Sequence, residues 1–440
     1  MKTIVLGAGI IGISTAWHLL ERGHEVIVID RQPDAALETS FANAAQISVS
    51  YCEPWANREA PLKALKWMFD KEAPLLFRPQ MDWQQWRWGL QFLAQCNDAA
   101  FERNVQQIVA LGAYSHAALK DLVKTTGIEY NRLERGIAHF YTDQKSFDAA
   151  GHAVELMRKF GVQRRLVSRD ELLKIEPAFK AYGDKITGGT YTSTDESGDA
   201  RVFTQELARR CAARGAQFLY GHDVLRLNKI GDAIDSVAVI ARNTGAGGQK
   251  DFILKGDAFV VACGSYSAPL LRTVGVDLPI YPGKGYSATF PLLKPEGAPM
   301  VSTIDDGKKI AMSRLGNFLR VAGTIELNGW DLTLDSSLAR ARCHMLSRRI
   351  EAILPGVCDT RTPEEGGNPQ YWTGLRPATP TNIPFIGRTR VGKLWVNAGH
   401  GTLGWTHGAG SGKALAELIS GEVPAMNFGF LGVQAPRAVR

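Results

Sequence analysis

The chain has 440 residues, enough to bury a large core and to hold two domains. At 45% hydrophobic and 22% charged it has the balance of a soluble globular protein, not of a disordered or membrane-embedded one. Its formal charge of +7 suits acidic ligands or an anionic surface, and the lack of a dense Lys/Arg block or an aromatic-basic motif argues against nucleic acid.

Lys2 to Leu6 reads as a short buried strand, followed at once by Gly7-Ala8-Gly9-Ile10-Ile11-Gly12. A helical pattern runs from about Ile10 to Arg22 and stops at Gly23, and a second apolar run, Val26 to Ile29, ends in Asp30. Strand, glycine turn, helix and strand together form the context of a dinucleotide fingerprint. Gly7 permits the tight turn, Gly9 lets the backbone approach a pyrophosphate, and Gly12 lets the helix pack closely on the strand. The diphosphate would rest on the free N–H groups of the helix start, where the dipole favours negative charge. Asp30, eighteen positions after Gly12, is placed to accept from ribose hydroxyls. Thr3 to Leu20 carries no formal charge, but three glycines in six residues and the lack of a small-residue cleavage site argue against a signal peptide or membrane span.

Thr39 to Gln46 is a loop of small hydroxyl and amide residues, suited to close approach of a phosphate or flavin ring and equally to an ordinary loop. Trp55, Trp67, Trp83, Trp86 and Trp88 then supply five of the ten tryptophans, interleaved with Lys63, Lys66, Lys71, Arg78 and Arg87. The spacing of Leu62-Leu65-Met68-Phe69 and of Trp83-Trp86-Leu90-Leu93 is helical, and two readings stand: helices packed on the core, or helices lying on a membrane surface. Further helices are expected over 102–125, 146–160, 168–175, 201–214 and 336–354, and strands near 136–142, 187–191, 217–220 and 224–227. Asn243 to Gly248 sits between two strand-like runs and reads as a hairpin turn, not as a second fingerprint. Asp257 to Val261 reads as a buried strand leading into the small residues Ala262, Cys263 and Gly264, a cofactor-facing edge or a plain exit into a loop. The stretch 278–327 reads as an antiparallel sheet that, with the helix after it, forms a lid or substrate wall. The cysteines, Cys52, Cys96, Cys211, Cys263, Cys343 and Cys358, include no C-x-x-C pair, which argues against a redox dithiol or zinc ribbon and fits a reducing compartment.

Gly374-Leu375-Arg376-Pro377 precedes an extended stretch from Ile383 to Gly387. Leu394 to Ala398 then reads as a buried strand running into Gly399-His400-Gly401-Thr402-Leu403-Gly404-Trp405-Thr406 and a helix to Ile419. This second corner of strand, glycine turn and helix can aim N–H groups at a charge. It is not a phosphate P-loop, because Ala414 follows Gly412-Lys413 where a hydroxyl residue is needed. His400 and His407 lack a nearby acidic ligand set and read as structural, with no metal.

Taken together, Gly7-x-Gly9-x-x-Gly12, Thr39-Ser40…Asn43-Ala44, Pro282-x-Lys284-Gly285-Tyr286-Ser287, Gly374 to Pro377 and Gly399 to Thr406 resemble the FAD-dependent D-amino-acid dehydrogenases. Their superfamily includes D-amino-acid oxidase, glycine oxidase and sarcosine oxidase. The resemblance spans nearly the whole chain; Thr381-Asn382 departs from the acid and small residue usual there. It implies an α/β fold: a Rossmann-like FAD-binding domain of the glutathione-reductase-like, D-amino-acid oxidase type, with an inserted α+β substrate domain containing an antiparallel sheet. The FAD domain is expected over 1–52, 186–277 and 366–430, and the substrate or cap domain over 53–185 and 278–365. The implied FAD-binding residues are Gly7, Gly9, Ile10, Ile11, Gly12, Asp30, Arg31, Ser40, Asn43, Ala44, Gln46, Val224, Cys263, Gly264, Gly374, Gly399, Gly401, Thr402, Leu403, Gly404, Trp405 and Thr406.

The implied reaction is oxidation of a D-amino acid to an imine, which water converts to a 2-oxo acid and ammonia. Arg376 matches the carboxylate-binding arginine, whose planar guanidinium grips both oxygens as a lysine cannot. Tyr286 is a second substrate-facing candidate, to close the site or bond the carboxylate, and equally a core tyrosine. The turn from Gly401 to Gly404 is expected to offset negative charge on the flavin. Electrons would pass to a quinone or other carrier, from a cytoplasmic protein that is peripheral on the inner membrane through residues 54–96, in a homo- or hetero-oligomer. Alternatives are a glycine, sarcosine or D-amino-acid oxidase, a D-hydroxyproline dehydrogenase, an NAD-dependent dehydrogenase, or a flavin-holding subunit without catalysis of its own.

Overall fold

The computed structural model describes residues 1–67, 73–242 and 251–433. Its first layer is a six-stranded sheet in the order Phe385–Arg388, Leu394–Ala398, Ala258–Val261, Lys2–Leu6, Glu25–Asp30 and Gln217–Tyr220. All neighbours pair in parallel except Phe385–Arg388, which closes one edge antiparallel. A parallel sheet is covered on both faces, which is why its strands read as continuous apolar runs. On one face Val5, Val26 and Val28 meet helices Ile10–Glu21, Asp98–Thr126, Ala200–Ala213 and Gly404–Ile419. On the other, Ile4, Leu6, Ile27 and Ile29 meet a three-stranded antiparallel sheet, His222–Ile230, Ala233–Ala241 and Phe252–Lys255, and the helix Ser267–Arg272. The glycine cluster 243–248, expected as a hairpin turn, lies outside the described residues.

The second layer is a nine-stranded sheet. Its path runs Gln370–Ala378, Tyr281–Pro291, Phe318–Leu327, Ile310–Leu315, Ser302–Asp305, Ile137–Tyr141, Gly188–Thr192 and Arg165–Ser168, with Leu75–Phe77 beside Phe318–Leu327. The sheet is mixed, because Ser302–Asp305 pairs in parallel with Ile137–Tyr141 and Phe318–Leu327 with Leu75–Phe77. Helix Ser337–Ile353 packs on it through Leu346, Ile350 and Ile353. Three elements fall elsewhere than the expected division places them. Gly188–Thr192 and Gln370–Ala378 hydrogen-bond into this large sheet, and Asp98–Thr126 buries Leu111, Ala118 and Leu119 in the core of the first layer. Long-range strand pairing decides the first two and burial the third, and neither is visible in a linear reading.

Side chains start most of the longer helices: Asn97, Asp143, Ser168, Asp199 and Ser336 each accept a backbone N–H of the first turn. The N-cap residues of Ile10–Glu21 and Gly404–Ile419, Gly9 and Leu403, supply no such side-chain acceptor. Helix Gly404–Ile419 is a packing hub. A Cβ on Gly408 would lie 2.7 Å from Ile10 Cγ1, one on Gly412 2.6 Å from the Ser14 carbonyl carbon, and one on Gly410 2.4 Å from Ser115 Cα. Its glycines therefore let three helices touch backbone to backbone, against their poor intrinsic propensity.

The tryptophan-rich stretch divides its side chains between the core and the surface. Trp88 packs inward and donates its indole N–H to Ala378 O, while Trp83, Trp86, Leu90 and Leu93 of the same helix, Trp83–Ala94, are exposed. Met68, Phe69 and Lys71 lie outside the described residues. No helix among the described residues is long and apolar enough to cross a membrane.

Two glycine substitutions should move stability in opposite directions. Gly89 sits mid-helix with open space where a Cβ would go, so Gly89→Ala should stabilise by about 0.5–1 kcal/mol. Gly410→Ala should destabilise by about 1–3 kcal/mol, because the methyl meets the Ser115 backbone. Urea unfolding of both variants checks the pair.

Candidate functional site

The strands Lys2–Leu6, Ala258–Val261 and Leu394–Ala398 lie side by side and parallel, so their carboxyl ends open on one edge of the sheet. Both glycine corners stand on that edge, the first after Leu6 and the second after Ala398. Gly7 needs its positive φ of 106°, and a Cβ there would strike Ala262 O at 2.5 Å. A Cβ on Gly12 would strike Gly7 O, so helix and turn can close up only with glycine at both positions.

Between this edge and the large sheet lies a cavity of about 1120 Å³. That exceeds the range of roughly 300–1,000 Å³ typical of a single small-molecule site. Of the expected cofactor residues, Gly7, Gly9, Ile10, Ile11, Asp30, Arg31, Ser40, Asn43, Ala44, Gln46, Val224, Cys263, Gly264 and Gly374 line it, as do Gly401 to Thr406. Gly12 and Gly399 do not. Gly12 is buried under the Gly7 turn, and Gly399, at φ 90°, packs toward Thr379, so both shape the corners from behind.

Local bonding shows how the wall is held. Asp30 accepts from Ala8 N at 2.6 Å and Gln32 N at 2.8 Å, and burial pushes its carboxyl up against those two bonds. Ser40 Oγ accepts from Ile10 N at 3.1 Å, tying the 39–46 loop to the helix start. The same loop reaches the large sheet: Gln46 Nε2 donates to Ser302 Oγ, and Ser313 Oγ to Ala44 O. Arg31 pairs with Glu38 and lies 3.8 Å over the Tyr266 ring. Burial drives the Cys263 thiol up to about 12, which leaves it an inert wall residue. In the second corner Gly401 N–H is spent on Pro377 O and Leu403 N–H on His400 O. The donors available to a ligand are therefore those of the uncapped helix start, not these two turn amides.

Arg376 lies on Gln370–Ala378 and faces the cavity from the large sheet. Its Nη1 donates to Thr324 O at 2.9 Å, and among the described residues no carboxylate pairs with it. Burial, then the nearby charge of Arg342, lowers its pKa to about 10, so it stays cationic at neutral pH and favours an anion. Tyr286 also lines the cavity, but its hydroxyl donates to Glu326 Oε2 at 2.7 Å. Burial and that carboxylate hold its phenol above the usual range. In this arrangement its proton is committed to Glu326, which favours the core reading of Tyr286 over a bond to a substrate carboxylate.

The wall also contains residues that the sequence did not single out. Tyr51, Glu53, Lys309, Thr324 and Trp372 all line the cavity. Glu53 pairs with the buried Arg164 at 3.0 Å and Lys309 with Asp306 at 2.9 Å. Nothing in the local sequence signals these; only Trp372, two residues before Gly374, stood near a noted motif.

The model of the FAD dependent oxidoreductase family matches residues 2–418. The chain belongs to this family. Among related proteins, this FAD-dependent oxidoreductase is 48% identical to a D-amino acid dehydrogenase of Dechloromonas aromatica over 98% of this chain and 100% of that one. It is 43% identical to another of that name from Cereibacter sphaeroides, over 99% and 95%. Its fold is shared with L-proline dehydrogenase from P. horikoshii (TM-score 0.70, 18% identity, 96% and 94% coverage). Glycine oxidase from Bacillus cereus is similar to the same degree (TM-score 0.67, 20% identity, 96% and 95% coverage). FAD is the cofactor of the family, and the cavity fits it: two helix starts whose N-cap residues give no side-chain acceptor, a glycine turn with no room for a Cβ, and on the wall the buried Asn397 Oδ1, without a partner among the described residues.

Three buried histidines contribute to the acid sensitivity of this fold. Burial lowers His139 to about 4, with Arg164 adding to it, lowers His407 to about 3, and takes His400 well below its usual value. The unfolded chain binds these protons first, so stability is complete above about pH 6.5 and falls as pH drops toward 4. His407→Gln should flatten ΔG against pH between 6 and 4.5 by close to one proton, about 1.4 kcal/mol per pH unit, in urea titrations.

Proposed function

We propose that this chain binds FAD in the cavity and oxidises a D-amino acid to a 2-oxo acid and ammonia, with a quinone or another acceptor other than oxygen taking the electrons. The names of its relatives support the substrate class. One observation carries the site: Arg376, without a carboxylate partner among the described residues, faces the same cavity as both uncapped helix starts.

In this reading Gly7, Gly9, Ile10 and Ile11 hold the diphosphate, Asp30, Arg31 and Val224 the nucleoside end. Ser40, Asn43, Ala44, Gln46, Cys263, Gly264, Gly374 and the 401–406 corner hold the ring. FAD, when bound, supplies the two-electron acceptor for the hydride that leaves substrate Cα. Arg376 grips both carboxylate oxygens, which fixes where Cα sits and supplies most of what the protein adds, namely orientation. The helix start at Gly404 would oppose negative charge on a bound flavin. Trp55, Trp67, Leu75 and Phe92 give the cavity an apolar wall that would exclude water from the bound substrate.

Purified under nitrogen, the yellow protein should lose its visible absorbance on D-alanine and keep it on L-alanine. Air should restore the colour far more slowly than a soluble quinone does. A colourless protein, or equal bleaching by L-alanine, defeats the reading. Arg376→Lys should weaken substrate binding by roughly 1.5–3 kcal/mol, about ten- to a hundred-fold, with FAD retained.

The acceptor side is assigned to the 54–96 segment resting on an anionic bilayer. Trp83, Trp86, Leu90 and Leu93, at 68%, 46%, 63% and 52% exposure, form one stripe on their helix, and Phe92 of the same helix lines the cavity. The protein should float with phosphatidylglycerol vesicles, and Leu90→Glu with Leu93→Glu should abolish flotation. Parent protein that stays unbound removes the membrane from the scheme.

A further inference from the structure

The strands Tyr281–Pro291 and Phe318–Leu327 pair Gly285 with Ile325 and then Tyr286 with Gly323, so Thr324 is a bulge with no residue opposite. On its other side the neighbouring strand also changes, from Ile310 opposite Gly323 to Leu75 opposite Ile325. Thr324 adopts φ 58°, the left-handed region that a β-branched residue rarely enters. It is buried at 3% exposure, on the cavity wall, and its turned carbonyl accepts from Arg376 Nη1 at 2.9 Å. Across the ladder Gly285 faces Gly374, leaving a trough without side chains. Arg376 fills one side of it: a Cβ on Gly285 would lie 2.0 Å from Nη1 and 2.3 Å from Cζ. Trp372 fills the other, 2.1 Å from where a Cβ of Gly374 would stand.

We propose that the Thr324 bulge and the Gly285 trough form a preset seat that fixes the Arg376 guanidinium before substrate arrives, making Thr324 a positioning residue for the substrate carboxylate. This rests on the reading of Arg376 as the carboxylate anchor. A regular ladder would keep the Thr324 carbonyl for strand pairing, and any side chain at 285 would lift the guanidinium off the sheet. Both departures from ordinary sheet structure serve one side chain. Strain retained beside a cavity is the usual sign that a backbone conformation is used.

The test compares four variants of the FAD-loaded protein, with benzoate binding read from the flavin spectrum and steady-state kinetics on one D-amino acid. Deleting Thr324 restores a regular ladder without changing which face each neighbour occupies, and Gly285→Ala puts a methyl where the guanidinium lies. Each should weaken benzoate at least ten-fold and lower kcat/KM mainly through KM, while the bound-flavin spectrum persists. Thr324→Gly keeps the bulge and its carbonyl and relieves the φ, so it should rescue affinity to within three-fold of the parent and raise Tm. Arg376→Lys is the control for the underlying reading. If it leaves benzoate binding intact, the anchor itself is wrong and the seat falls with it. If it weakens binding while Gly285→Ala and the deletion do not, the anchor stands and the seat is refuted. A deletion that fails to hold FAD passes the decision to Gly285→Ala and Thr324→Gly, and loss of affinity in Thr324→Gly equal to that in Gly285→Ala also refutes the carbonyl's part.

Discussion

Parallel pairing of three strands, Lys2–Leu6, Ala258–Val261 and Leu394–Ala398, is the constraint on which the rest depends. Parallel strands share a direction, so chain segments nearly four hundred residues apart end on one edge and start their helices toward one space. The two helices then pack on each other through Gly408 and Gly412 against Ile10 and Ser14. That contact keeps the two helix starts close. Neither N-cap residue supplies a side-chain acceptor and Ser40 takes only the Ile10 N–H, so the other first-turn N–H groups, which no helix satisfies internally, are left for a ligand.

The opposite wall follows a different logic. A mixed sheet offers few free donors, since its N–H groups are spent on neighbouring strands. It contributes side chains instead, and the cation it offers is held by an irregularity in the ladder, not by an acidic partner. A carboxylate beside Arg376 would satisfy the charge and compete with an incoming anion; a backbone carbonyl orients it and leaves the charge uncompensated. Glu326, two residues after Thr324, is instead occupied by the Tyr286 hydroxyl and Arg78.

The loop 39–46 joins the two walls, with Ser40 on the first helix start and Ala44 and Gln46 on Ser313 and Ser302. It couples the half that carries the two glycine corners to the half that carries Arg376. Small residues suffice because the bonds run through backbone and short hydroxyls, which places the loop close to any ligand between the walls.

Both glycine corners, their flanking strands and most helices were legible from the chain alone, because strand–turn–helix units are local and carry their own punctuation at Gly7, Gly23, Gly399 and Gly421. Arg376 and the substrate role proposed for it came from resemblance, and its geometry came from the fold. The chain could not say that Gly188–Thr192 and Gln370–Ala378 join the large sheet, that Tyr286 spends its hydroxyl on Glu326, or that Thr324 is bulged. Each of those depends on a partner forty or more residues away, or on a register shift that no residue type announces. Sequence determined where the backbone turns, since turning is a property of the residues that do it. Tertiary structure decided which turned segments meet, since meeting depends on strand pairing and burial that only the whole chain supplies.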